Sequence, residues 1–388
     1  MKASLLGLLF LNLSLAGFAQ PNLPKASSGY VDAMGGRLYY EECGSGSALV
    51  LLHDGLLHSV VWDDMWPSLC SKYHVVRYDR RGYGKSQIAK ASFSPEDDLL
   101  RVMERGNMKR ATLVGCSSGT ALATDFAIAH PERVQALFLI GPVVHGMRSS
   151  DYFLLRGNAA SAPLARDDVR AAAENWSKDP FEVSGDRPQA RKKIFETLVA
   201  NPQNFKVPGQ FEMRPSPPTV TRLVEVQPPT LLIVGEGDIA DVHAFAGAMQ
   251  AAVPVVRREV WKDDGHLIPL EKPLELVNRL QAFITIAERI TIPVPTATLR
   301  RYEGLYSFGD ATAKIALKGD HLVLQLGGDV DVPLFANSDS QFFVRTTGTE
   351  VQFESSAGIG VTAMLIHSPG ASPIRCPRTS GPGARGSG

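Results

Sequence analysis

Cysteine is scarce in this chain. Four residues, Cys43, Cys70, Cys116 and Cys376, are spread over 388 positions without a CxxC pair, which excludes a zinc ribbon, a thioredoxin-like dithiol and a small disulfide scaffold. The first three are expected to be buried, unpaired core thiols, because a chain of this length needs no staple. Net charge is lacking too: 40 basic residues cancel 40 acidic ones. That leaves no electrostatic footprint for a polyanion, so nucleic acid is not expected as a partner. No apolar run approaches the ~18 residues of a membrane span. The nine histidines include no H-E-x-x-H or other metal-ligand spacing, and neither a metal nor a cofactor is expected.

With 44% apolar and 21% charged residues, the chain can bury a large core and remain soluble, which excludes wholesale disorder and a multi-span membrane protein. Setting aside the two ends leaves about 350 residues, enough for two domains. At the front, Lys2 precedes an apolar run over residues 5–15 that closes on Ala16, Gly17, Phe18 and Ala19. This is the pattern of a signal peptide over residues 1–19, cleaved near Ala19. The mature protein is therefore expected to be exported, periplasmic or secreted, with no stable membrane span.

Gly35-Gly36 between two alternating runs predicts a hairpin over residues 28–43. The short continuous apolar run at residues 48–52 reads as a strand of the kind buried on both faces, and further strands are read at residues 73–78, 111–114, 136–140, 230–234 and 255–260. Helical spacing occupies residues 61–71, 120–129, 244–252 and 274–287. Ser94, Pro95, Glu96 and Asp97 supply a cap, a first-turn proline and two acids that start another helix, running to about Arg105. Strands alternating with helices predict an α/β fold, a mostly parallel sheet flanked by helices, over residues 28–287. Between residues 143 and 227 the alternation gives way to helical pieces at 167–176 and 191–200 and a proline-rich stretch at 215–218. This predicts a helical lid over the ligand-binding end of the sheet. Ile292-Pro293-Val294-Pro295 marks a stiff linker within residues 288–298. Short alternating runs over 299–367 predict a small antiparallel β domain, and the Pro/Gly/Ser/Arg-rich residues 368–388 are expected to be disordered.

Gly115-Cys116-Ser117-Ser118-Gly119 directly follows one predicted strand and precedes a predicted helix. Strand, G-x-S-x-G, helix is the nucleophile elbow: small neighbours let the backbone turn sharply and lift the Ser117 hydroxyl above the sheet. The Ser118 amide at the helix start then faces a developing oxyanion. A serine needs a base, and the base needs an acid to hold its tautomer. Asp238, in Gly235-Glu236-Gly237-Asp238, and His266, in Asp263-Asp264-Gly265-His266, each follow a later strand on the same rim. Ser117, Asp238 and His266 are thus the expected triad, with Asp241, Asp263 and Asp264 as competitors for the acid. Gly55, or else Leu56, in the loop after residues 48–52 is expected to give the second oxyanion amide. Gly84-Lys85-Ser86 imitates the end of a phosphate loop, but Asp79 stands where that loop needs glycine. His58, Trp62, Tyr83, His145 and His243 are within conceivable reach of the pocket, and each is equally suited to packing or solvent.

With His53 and Gly55 after the third strand, Asp79-Arg80-Arg81-Gly82-Tyr83-Gly84-Lys85-Ser86 after the fourth, the elbow, the Gly235-x-x-Asp238 acid and the Gly265-His266 base, residues 28–287 resemble the α/β-hydrolase superfamily. The closest likeness is to its single-lid esterase, lactonase and C–C hydrolase branch. The resemblance implies a cofactor-free serine hydrolase acting on a small-molecule acyl substrate, with C–C bond or peptide cleavage, or a non-catalytic binding protein, as alternatives. One departure stands out. Asp54 occupies a position where the family usually has glycine, and it is expected to turn its carboxylate into the loop's own backbone. The loop also lacks the Gly-Pro-Gly continuation of proline-iminopeptidase-like relatives. The β domain, through Tyr302-x-Gly304-x-Tyr306, Pro333-Leu334 and Phe342-Phe343, resembles modules appended to exported bacterial serine hydrolases of the β-lactamase-like group, which implies docking or stabilisation without catalytic residues.

Overall fold

The computed structural model describes residues 26–207, 209–327 and 330–380. The expected signal peptide and the last eight residues of the tail lie outside the described residues. Eight strands form the main sheet: β1 (Ser27–Ala33), β2 (Gly36–Cys43), β3 (Ala48–Leu52), β4 (His74–Tyr78), β5 (Ala111–Cys116), β6 (Val134–Ile140), β7 (Thr230–Gly235) and β8 (Val256–Trp261). Their order is β1-β2-β4-β3-β5-β6-β7-β8. The β1–β2 hairpin is antiparallel, as is its junction with β4; all other neighbours run parallel. Alternate residues serve opposite faces. Leu49, Leu51, Leu231 and Ile233 enter one core with Leu276, Leu280 and Phe283 of the helix Pro273–Ala287. Val50, Leu52, Leu232 and Val234 enter another with Leu99, Phe126 and Phe245, from three helices on the other side. Two covered faces explain why these strands read as continuous apolar runs.

The helix expected over residues 61–71 is broken. A 3₁₀ turn at Ser59–Trp62 is followed by the short helix Trp66–Cys70. Pro67, without an N–H, cannot lie inside a longer helix and sits instead at the start of this one. Three lid helices, Asp151–Ser161, Val169–Lys178 and Pro188–Ala200, lie between β6 and β7. The first of them escaped sequence reading because it has no apolar stripe: Tyr152, Leu154 and Leu155 are exposed and Ala160 is its one buried residue. Among the described residues no helix is long and apolar enough to cross a membrane.

After a short extended segment, eight antiparallel strands close a barrel whose core holds Tyr302, Tyr306, Phe342 and Phe353. Residues 374–380, read from composition as part of a disordered tail, are its last strand, Ile374–Ser380. That strand pairs with Gly360–His367 on one side and Gly304–Phe308 on the other. Closure satisfies two edges that would otherwise be exposed, and it buries Cys376.

The expectation of unpaired cysteines fails for two of the first three. Cys43 at the end of β2 and Cys70 at the end of a helix form a disulfide across a separation of 27 residues. Cys116 is buried and free, as expected. Two cysteines distant in sequence pair because the β2–β4 register brings the end of β2 beside the segment that leads into β4. Replacing both Cys43 and Cys70 with serine should lower unfolding free energy by about 2–4 kcal/mol, through loss of a constraint on the unfolded chain. Denaturant unfolding, compared with the untreated and the reduced wild type, measures it.

Candidate functional site

Ser117 sits between β5 and the helix Ser118–Ala129 with φ 51° and ψ −122°, a conformation that costs a non-glycine residue about 1–3 kcal/mol and persists only where packing imposes it. The flanking glycines show how. A Cβ on Gly115 would lie 2.8 Å from the Gly119 carbonyl oxygen, and one on Gly119 would lie 2.2 Å from that of Leu52. The Ser117 N–H donates to Ile140 at 2.9 Å, and its carbonyl accepts from the Thr120 amide at 2.8 Å. The turn is thereby tied to β6 and to its own helix.

His266 follows β8 in the loop 262–267. Its Nδ1 bonds Asp238 Oδ2 at 2.8 Å, while Asp238 Oδ1 accepts the Ile239 amide at 2.7 Å. With Nδ1 committed to the carboxylate, Nε2 is the nitrogen left for the cavity. Burial works against the charged ring, but the carboxylates of Asp238, Glu182 and Asp54 outweigh it and hold the His266 pKa above the ordinary histidine value. Two further constraints fix the ring. A Cβ at Gly141, after β6 and at φ 56°, would stand 2.8 Å from both Cε1 and Nδ1 of His266. The His266 and Leu267 amides donate to the Phe181 and Glu182 carbonyls at 2.7 and 2.9 Å. The lid segment is held in turn by Glu271, whose two oxygens accept the Ser184 and Gly265 amides at 2.7 and 2.8 Å. Burial pushes the Glu271 carboxyl up to about 7, against the pull of those amides.

The three competing acids are engaged elsewhere or exposed. Asp241 accepts the Ser150 amide and hydroxyl at the start of the first lid helix. Asp264 binds Arg187 and Lys272, and Asp263 lies on the surface. In the loop after β3, Asp54 does as expected. Its Oδ1 accepts the Leu56 and Leu57 amides, both at 2.7 Å, although Oδ2 is buried without a partner. Leu56 is thus removed as an oxyanion donor, whereas the Gly55 N–H has no partner among the described residues. His53 steadies the loop: the Arg80 amide donates to its Nε2 at 2.8 Å, so Nδ1 carries the proton given to the Asp54 carbonyl at 2.7 Å. Burial and the nearby Arg80 cation keep that imidazole neutral.

Ser117, His266, Asp54 and Gly55 line one cavity of about 180 Å³, with Trp176, Glu182 and Arg156 of the lid forming its roof. Asp238 stands behind His266, and Ser118 opens onto an adjoining cavity of about 220 Å³. Sequence reasoning missed Glu182 and Arg156. They form a buried ion pair at 3.1 Å, and Arg156 also meets Asp179 at 2.6 Å. Burial raises the Glu182 carboxyl, with His266 and Arg156 opposing. Nothing local marked these residues, since lid sequences carry no period-specific motif. Of the other candidates, Trp62 is core, His58 faces Asn204, His243 meets Arg258, and His145 binds Asp125 at 2.5 Å. Tyr83 donates to the Gly55 carbonyl at 3.1 Å. Larger cavities, of about 320 and 600 Å³, lie at the junction of β8 with the barrel, lined by Pro254, Val255 and Pro333, remote from these groups.

Residues 48–273 match the family model described as the alpha/beta hydrolase fold. A pimeloyl-(acyl-carrier protein) methyl ester esterase of Nitrosomonas europaea is 26% identical over 63% of this chain and 98% of its own length. A 2-hydroxy-6-oxo-6-phenylhexa-2,4-dienoate hydrolase of Comamonas testosteroni is 26% identical over 63% of this chain and 89% of its own. Among solved structures, a thermophilic esterase from Thermogutta terrifontis superposes with a TM-score of 0.59 at 22% identity, covering 68% of this chain and all of that one; at that identity the likeness speaks for the fold. With the family model spanning more than half of its residues, this chain belongs to the α/β-hydrolase family.

Proposed function

We propose that this protein is an exported serine hydrolase that cleaves small esters, lactones or related acyl compounds. One observation carries the reading: an imidazole bonded through Nδ1 to a buried carboxylate at 2.8 Å lines the same small cavity as a serine held at φ 51°. His266 Nε2 takes the Ser117 proton as Oγ attacks the acyl carbonyl, and Asp238 stabilises the imidazolium. The amides of Gly55 and Ser118 receive the oxyanion. Collapse of the tetrahedral intermediate returns the proton to the departing alcohol. A water deprotonated by His266 then attacks the acyl-enzyme, the acid leaves, and Ser117 recovers its proton. The likeness to the hydrolase of Comamonas testosteroni favours C–C bond hydrolysis as a second reading; a panel of leaving groups separates the two. The Cys43–Cys70 disulfide supports export, since such bonds persist in oxidising compartments. N-terminal sequencing of the mature protein should begin near Gln20.

Ser117→Ala should abolish labelling by a fluorophosphonate and lower kcat/KM for p-nitrophenyl butyrate by about 10³-fold or more. Retained wild-type turnover would refute the assignment. Gly141→Ala should lower kcat by about tenfold or more while the protein stays folded by circular dichroism, because the new methyl displaces the base from its productive position. The imidazolium form cannot accept a proton, so kcat/KM should rise with pH along a limb centred above the ~6.5 of a free histidine. Glu182→Gln, which removes one of the carboxylates holding that proton on, should move the limb to lower pH.

A further inference from the structure

Arg80 is a cation without a counter-ion beside the proposed oxyanion site. Its Nη2 donates to the Asp54 carbonyl at 2.9 Å and to Ser118 Oγ at 2.6 Å, both neutral acceptors, and its Nε is buried with no partner. Among the described residues no carboxylate oxygen lies within 4.0 Å of its guanidinium nitrogens. Three other arginines near the cleft are compensated. Arg81 pairs with Asp98 at 2.6 Å, Arg77 with Glu41 and Asp63, and Arg156 with Asp179 and Glu182. Asp79, next to it in sequence, spends its carboxylate on the Ser59 amide and hydroxyl and on the Lys85 amide, and Asp54 has turned its own into the Leu56 and Leu57 amides.

Arg80 borders the cavity of about 220 Å³ that shares Gly55 with the cavity of Ser117 and His266, so the two spaces flank the oxyanion loop. The groups facing Arg80 from the surrounding elements leave its charge unanswered. Asp125, from the helix after the elbow, spends one oxygen on His145 Nδ1 and the other on the Thr219 hydroxyl. Glu212 approaches His145 Nε2 only at 4.0 Å, and the exposed Arg214 adds a second positive charge at the wall. The Tyr83 ring lies 5.2 Å from the guanidinium carbon and supports it without neutralising it. With both Nη2 hydrogens committed and Nε buried, Nη1 is the nitrogen left to donate, and a charged N–H of this kind is suited to one oxygen of a carboxylate.

We propose that this cavity is a subsite for a substrate carboxylate, with Arg80 as its specificity-determining residue, so that the enzyme prefers esters bearing a free carboxylate a few atoms from the scissile bond. This rests on the serine-hydrolase reading for the reaction, but not for the binding. The carboxylate sits on either the acyl chain or the alcohol, and the substrates tested distinguish them.

The experiment compares mono-p-nitrophenyl glutarate, with the charge on the acyl side, and 4-carboxyphenyl butyrate, with the charge on the leaving group, against p-nitrophenyl butyrate. Calorimetric titration with glutarate runs in parallel. Wild type should favour one charged ester over the neutral one by about tenfold or more in kcat/KM, mainly through KM, as expected of a charge-assisted hydrogen bond. Arg80→Gln should erase that ratio and abolish glutarate binding. Glu212→Gln, which removes a repelling carboxylate from the cavity wall, should tighten glutarate binding and so tests the subsite without touching Arg80. If wild type shows no preference for either charged ester and glutarate does not bind, the subsite is overturned while ester hydrolysis still stands. Glutarate binding that depends on Arg80 in a protein that hydrolyses no ester and takes no fluorophosphonate would keep the subsite and sink the serine-hydrolase reading.

Discussion

The backbone of Ser117 is the constraint on which the rest of the site depends. An L-residue does not rest at φ 51° and ψ −122° unless its neighbours forbid the alternatives. Here Gly119 packs where a side chain would strike the Leu52 carbonyl, and Gly115 where one would strike Gly119. The end of β3, the end of β5 and the start of the following helix are therefore one close-packed knot. Because the loop carrying Gly55 leaves β3 directly from that knot, the serine hydroxyl, the Ser118 amide and the Gly55 amide are positioned together. The strain at one residue is offset by two cores that bury the sheet on both faces.

His266 reaches this knot by a different route. It rides on a loop after β8, the half-exposed edge strand, whose own packing does not fix an imidazole ring. Its place is set instead by Asp238 from the end of β7, by the open space at Gly141 after β6, and by the Phe181 and Glu182 carbonyls of the lid. The lid thus does more than cover the cavity, since it supplies acceptors for the histidine loop as well as the wall formed by Trp176, Glu182 and Arg156. Among the described residues the barrel contributes none to either cavity flanking the oxyanion loop. It is joined to the hydrolase domain through contacts such as Arg289 with Glu350 and the Ile292 amide with the Ala336 carbonyl.

Charge in the cleft is arranged by pairing. Asp54, Glu182 and Asp238 stand with Arg80, Arg156 and His266 around the two small cavities, and Asp125, Glu212, His145 and Arg214 line the rest of the larger one. Asp238 faces His266, and Glu182 faces Arg156, with His266 close enough to affect its titration. Among the described residues Asp54 and Arg80 are left without ionic partners even though Arg80 bonds the Asp54 carbonyl. Sequence reading found Asp54 because it departs from a familiar glycine, and correctly sent one of its oxygens into the loop's amides. Arg80 carried no comparable signal. One basic residue beside another in Asp79-Arg80-Arg81-Gly82 looks like any surface pair, yet Arg81 is neutralised by Asp98 and Arg80 is not.

Most of the layer architecture was legible because its signals are local. The buried strands β3, β5, β6 and β7 appeared as short apolar runs, the Ser94 cap accepts the Asp97 amide as its type demands, and the elbow glycines announced a tight turn. Errors arose where a local signal was weak or overruled: Pro67 split one helix, the exposed face of Asp151–Ser161 hid another, and a proline- and arginine-rich stretch proved to be the last barrel strand. By itself, then, the sequence determined the succession of elements, the turn at Ser117 and the order in which Ser117, Asp238 and His266 follow their strands, since periodicity and turn chemistry act between near neighbours. The Cys43–Cys70 bond, the closure of the barrel, the lid's hold on His266 and the unpaired charge of Arg80 were decided only by the tertiary structure. Each depends on sheet register and packing that bring together atoms far apart along the chain, where no local pattern records their meeting.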